Sequence, residues 1–273
     1  MNQKTMSIIL RVMVFAASIL TIGVLLFLMV YIMARGLPHL KLSLFALEYN
    51  SENVSMFPSI INTIIMTVLS LSIAIPFGLA TAIYLNEYAK RGNRLVEAIR
   101  LTAETLAGIP SIVYGLFGML FFVITLKMGN SILAGAGTLS IMILPLIMRT
   151  SEEAIKAVPD SFREGSFGLG AGKLRTISRI VLPSAMPGIL AGVILGIGRI
   201  VGETAALIYT SGTLAELPKS VFSSGSTLSV HMWYLSGAGL HMNEAAATAV
   251  VLLLIVLLIN TFSAIVAKRV SKT

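Results

Sequence analysis

The stretch "RTSEEAIKAVPDSFREGSFGLGAGKLRTISRIVLP", residues 149–183, lies between two long apolar runs and carries too many charges to cross hydrocarbon itself. Its apolar residues still recur at helical spacing: Ile155, Val158 and Phe162 in one half, Leu174, Ile177 and Ile180 in the other. Pro159 and the glycines between Gly168 and Gly172 interrupt that spacing. The pattern predicts two or three short amphipathic helices outside the membrane, turning on glycine.

The flanking runs read as membrane spans. Hydrophobic residues make up 56% of the 273, charged residues only 12%, and mean hydropathy is +0.91; a soluble domain carries about 25% charged residues. Six runs are long enough to span as helices, about 8–34, 58–86, 101–126, 132–149, 185–211 and 246–267. The first is too long for a signal peptide, and no small-residue cleavage site follows it. With no polar linker long enough to separate units, residues 1–273 form one all-α integral membrane domain.

Charge orients it. Lys4, Arg11, Lys90, Arg91, Arg94, Arg100, the bases from Arg149 to Arg179, and Lys268, Arg269 and Lys272 share one side if both termini do. Arg35, Lys41, Lys127 and Lys219 are left opposite. Basic loops stay inside, so both termini are expected in the cytoplasm of a multi-pass cell-membrane protein. The net charge of +8 is thereby a topology signal, and no nucleic-acid partner is expected.

Much chemistry is excluded. There is no cysteine, hence no thiolate catalysis or Cys-ligated metal. "GAGKL" (170–174) lacks the spacing and the Ser/Thr of a phosphate loop. His39, His231 and His241 have no metal-ligand context, so no metal is assigned. No catalytic residue and no ATPase motif is found; energy for uphill transport would come from elsewhere.

Within the fifth run, "LAGVILGIGRIVGETAALIYT" (190–210), Arg199 and Glu203 sit amid apolar residues. A charge at the bilayer centre costs about 2.5–3.5 kcal/mol on insertion scales and generally marks a pathway or a bound group. On one continuous helix Gly188, Gly192, Gly196, Arg199, Glu203, Ala206 and Thr210 share a face, with Glu203 one turn from Arg199 and able to neutralise it. The same arithmetic aligns Glu104, Gly108, Ser111, Gly115 and Gly118 in the third run, and Ser59, Thr63, Thr67, Ser70, Ala74 and Thr81 in the second. For the glycines alone, close helix packing is the simpler account. Arg199, Glu203, Ser111 and Glu104 are the candidate substrate pathway. Paired carboxylates of an intramembrane enzyme, Glu104 with Glu203, and a purely structural scaffold remain alternatives.

Glu164-Gly165-Ser166, three residues, Gly170, nine residues, then Ile180-Val181-Leu182-Pro183 resembles the "EAA" loop of ABC importer permeases. Gly165 and Ser166 replace two alanines with other small residues. "PFGLATAIYLNEYA" (76–89), "LAGIPSIVYGLFG" (106–118) and "GIGRIVGETAAL" (196–207) are similar to the phosphate-specific branch. The resemblance implies a type I ABC importer permease fold with six transmembrane helices, core spans about 58–267 and a cytoplasmic coupling loop about 150–183. It implies that Glu164, Gly165, Ser166, Gly170, Ile180, Leu182 and Pro183 dock the ATPase. It further implies a phosphate substrate, a PstC-like sister subunit, a PstB-like ATPase pair holding ATP and Mg, and a PstS-like binding protein. No cofactor is expected on this chain. The alternatives within the same class are the PstC-type sister subunit and a permease for another oxyanion, molybdate or sulfate.

Overall fold

The computed structural model describes residues 3–270 apart from Arg91 and Leu240. Arg91 and Lys272, two of the bases used for orientation, lie outside the described residues, as do the side chains of Lys4, Lys268 and Arg269. Every regular element among the described residues is helical. α1 (Gln3–Gly36) is followed by two short 3₁₀ turns, then α2 (Phe57–Ile83), which ends in a π turn, Tyr84–Tyr88. α3 (Arg94–Ala107), α4 (Ser111–Gly118, ending in a π turn Met119–Thr125) and α5 (Ile132–Lys156) follow. The charged stretch folds as α6 (Asp160–Gly168) and α7 (Lys173–Thr176), and a π turn Ile177–Val181 leads into α8 (Leu182–Gly202). α9 (Ala205–Ile208), α10 (Leu228–Ala238) and α11 (Met242–Val270) complete the order.

Five helical stretches are long and apolar enough to span: Met6–His39, Phe57–Tyr88, Ile132–Lys156, Lys173–Gly202 and Met242–Phe262. The bent pair α3 and α4 (through Thr125), which meet at 103°, makes a sixth when the two arms are counted as one span. This corrects the expectation of one rod over 101–126. Pro110 has no N–H to donate and pushes Ile109 out of helical backbone, while Gly108 sits where the chain turns. Glu104 and Ser111 therefore lie on different arms. The fifth span is corrected too: α8 stops at Gly202, short of 211, and Glu203 is extended at φ −73°, ψ 131°.

The core lies where α2 crosses α5. Met66, Ala74, Leu139, Met142, Ile143 and Ile200 pack there, all buried. A second cluster holds the half nearer α6 and α7, with Ala82, Ile155, Val158, Val181 and Ala185. Caps fix the helix starts: the Asn93 side chain accepts from the Leu95 N–H, and Ser131 from the Ala134 N–H. The small-residue face of α8 is a packing seam. An added Cβ at Gly188 would meet Ala154, at Gly192 Thr150 and at Gly196 Ile147, all on α5. The polar stripe of α2 is likewise largely buried: Ser59, Thr63, Ser70 and Ala74 are inside. By contrast α1 is exposed almost throughout, as expected of a helix bathed in lipid.

Candidate functional site

The charged stretch forms a knob. α6 and α7 are joined through Gly170, whose φ of +80° is the left-handed turn that glycine accepts at no steric cost. The Ser166 and Thr176 hydroxyls lie 2.8 Å apart and tie the two arms together. Leu169 (92% exposed), Leu174 and Phe162 stand out from the knob. Between its arms lies a cleft of about 680 Å³, lined in part by Gly165, Ser166, Gly170, Ile180 and Pro183. Of the expected docking residues, Glu164, Gly165, Gly170 and Pro183 are exposed, while Ser166, Ile180 and Leu182 are half-buried. The spacing thus brings both halves of the motif around one cleft.

Arg199 is half-buried in the last turn of α8. The expected pairing with Glu203 does not form, because the helix that would have stacked them ends between the two. Arg199 enters none of the ion pairs among the described residues. The Glu203 carboxylate instead accepts from the Ala206 N–H at 3.1 Å and caps α9, and its carbonyl accepts from Ser229 Oγ at 2.6 Å. Arg199 lies in the last turn of α8, where the helix dipole favours a cation by up to about 1 kcal/mol.

Ser111 is the half-buried first residue of α4. Glu104 is exposed on α3, 3.9 Å from Arg149. Glu104 and Glu203 have different partners, Arg149 for the first and the Ala206 N–H for the second. α4 and α9 touch closely: a Cβ at Gly115 would lie 2.8 Å from the Ala206 Cα. Arg199, Ser111 and Glu203 thus belong to elements that surround two breaks in the spans.

The sequence reading missed a charged network where the ends of α2, α3 and α5 approach α6. Glu152, 5% exposed, pairs with Arg100 and Lys156, each at 2.7 Å. Glu87 pairs with Arg163 at 2.9 Å, with both side chains largely buried. Lys156 lies one helical turn from Glu152, but Arg100 with Glu152 and Arg163 with Glu87 are far apart in sequence, so no local spacing announces those two pairs.

Residues 74–272 match the family described as "Binding-protein-dependent transport system inner membrane component". A phosphate transport system permease protein PstA of Pasteurella multocida is 34% identical over 256 residues, covering 88% of this chain and 87% of that one. PstA 1 of Mycobacterium tuberculosis is 39% identical over 167 residues, or 61% of this chain and 54% of that one. The probable ABC transporter permease YqgI of Bacillus subtilis is 35% identical over 192 residues, 66% of this chain and 65% of that one. The chain thus spans a little over half to about two thirds of the length of the latter two. Among solved structures, a bacterial alginate ABC transporter in complex with its periplasmic protein superposes with a TM-score of 0.73 at 17% identity, covering 98% of this chain and 97% of that one. An inward-facing MetNI methionine transporter gives 0.62 at 19%, covering 79% and 94%. At these identities the likeness is one of fold.

Proposed function

This chain belongs to the binding-protein-dependent transport system inner membrane components, a multi-pass membrane family, and we propose that it is a permease subunit of an ATP-driven inorganic phosphate importer. The observation that carries the substrate is the match to the Pasteurella multocida phosphate permease over most of both chains. In this reading the chain forms half of the path, with a PstC-like permease as the other half. A PstB-like ATPase pair supplies ATP, Mg and hydrolysis, and a PstS-like protein delivers phosphate. Both termini lie in the cytoplasm, in keeping with the basic residues around the knob.

Arg199 is the anion contact. Its guanidinium offers parallel N–H donors that match two phosphate oxygens, at a depth where phosphate has shed water. Ser111 starts α4, where first-turn N–H groups lack intrahelical partners and favour an anion. Glu203 holds the chain beyond the α8 break in place, and Glu104 lies toward the cytoplasmic mouth beside Arg149. Glu164, Gly165, Ser166, Gly170, Ile180, Leu182 and Pro183 present the knob to the ATPase.

The test is uptake into proteoliposomes holding the complete complex, with phosphate, sulfate and molybdate offered separately. Phosphate alone should be concentrated and should stimulate ATP hydrolysis. Preference for either other oxyanion would overturn the substrate assignment while leaving the permease assignment in place.

A further inference from the structure

We propose that the buried ion pair between Arg163 and Glu87 carries motion of the ATPase-docking knob into α2, which makes Arg163 a positioning residue for coupled transport; this rests on the importer reading above. Most of α6 is exposed, yet Arg163 turns inward from it and is only 15% exposed. Its Nε and Nη2 both donate to Glu87 Oε1, at 3.1 and 2.9 Å. Nη2 also donates to the Ile155 carbonyl at 3.0 Å, and Nη1 to the Val158 carbonyl at 2.8 Å and Asp160 Oδ1 at 3.1 Å. One side chain therefore clamps the knob to the ends of both α2 and α5.

A second grip falls on the same turn. Lys173, at the start of α7, sits over the Tyr88 ring at 4.8 Å. Since the Ser166–Thr176 contact joins the two arms, the knob holds Glu87 and Tyr88 as one body. Both residues lie in the π turn that ends α2, and α7 likewise joins α8 through a π turn. Such turns interrupt the regular ladder and frequently mark functional sites.

The far end of α2 explains why the grip matters. Ser59 lies 3.0 Å from the Ser226 hydroxyl, and the Asn62 amide donates to the Glu216 and Ser226 carbonyls at 3.1 and 3.2 Å. Thr63 Oγ1 accepts from the Leu228 N–H at 2.9 Å. One helix thus touches the knob at one end and the opposite loop and α10 at the other. Displacing the knob through Arg163 displaces the segment that closes the other side.

The experiment uses the complete complex in proteoliposomes and reads phosphate transported per ATP hydrolysed. Arg163→Met and Glu87→Gln should lower that ratio roughly 3- to 30-fold while the ATPase still co-purifies and hydrolyses ATP. Arg163→Lys, which keeps the charge but not the fork, should fall between. The chain has no cysteine, so a paired Arg163→Cys, Glu87→Cys variant, assembled with cysteine-free partner subunits, can be bridged by a bis-methanethiosulfonate, which attaches to each thiolate through a reducible disulfide and releases methanesulfinate. Bridging should restore the ratio and reduction should lose it again. An unchanged ratio in Arg163→Met, or a bridge that restores nothing, overturns the linkage. Loss of assembly in step with uptake in all variants would make the pair merely structural and overturn it equally. A parent complex that moves no phosphate overturns the importer reading itself, and that is seen before any variant is compared.

Discussion

Arg199 and Glu203 look like a pair in the sequence and act apart in the structure. The arginine ends α8, and the glutamate caps α9 through the Ala206 N–H. Arg199→Ala should lower phosphate uptake roughly a hundredfold, the loss of two charge-assisted hydrogen bonds, with assembly intact. Arg199→Lys should recover part, because a point charge replaces the fork. Parent-rate uptake by a well-assembled Arg199→Ala complex removes Arg199 from the path. Glu203→Gln keeps an oxygen where the cap needs one, so uptake should stay near the parent's. Glu203→Ala should lose about 1 kcal/mol of stability with the cap, read as a lower unfolding midpoint. Uptake lost in Glu203→Gln would mean that the charge itself is used. Arg199 was legible as a charge inside an apolar run; its separation from Glu203 was not, because Gly202 within that run gives no sign of whether the helix passes through it.

Helix ends and seams set what can move. Pro110 announced a drift in the third span, but the 103° corner also needed Gly108 and the packing of Gly115 against α9, contacts that no single stretch encodes. The α5–α8 seam was legible as small residues at helical spacing, and its partner was not. Gly192→Val should drive a side chain into Thr150 and cost about 1–3 kcal/mol, seen as a lower unfolding midpoint in detergent; an unchanged midpoint would mean the seam is looser than drawn. α10, absent from the sequence reading, is anchored by His231, which is 1% exposed and edge-on to Tyr49 at 6.0 Å. Burial pulls its pKa from 6.5 to about 4, against a weaker opposing hydrogen bond with the Val54 backbone. The unfolded chain therefore takes up a proton before the folded one does. Stability should be full above about pH 6.5 and fall by up to about 3 kcal/mol as pH drops toward 4. His231→Phe should flatten that slope in unfolding midpoints measured between pH 7.5 and 4.5, and an equal slope in both proteins would assign acid sensitivity elsewhere.

For the molecule as a coupled machine, the proposed function has force enter at the knob, and Gly170 tests that most directly. Its φ of +80° disfavours any other residue by roughly 1–2 kcal/mol, but Asp and Asn tolerate that region better than most side chains. An added Cβ at Gly170 meets nothing within 4 Å. The chain alone therefore accommodates either substitution at similar strain. Gly170→Asp should insert and fold normally, yet place a carboxylate at the edge of the cleft that an ATPase surface would fill. Buried there without a partner, that charge is costly, whereas the amide of Gly170→Asn can find hydrogen bonds. The expected outcome is lost ATPase co-purification and uptake in Gly170→Asp, with Gly170→Asn retaining much of both. Equal loss in the two variants would point to the turn's backbone rather than a buried contact. Full co-purification and unchanged uptake in Gly170→Asp would leave the knob's tip free of the ATPase, and the docking surface would then have to be sought on the flanks of α6 and α7.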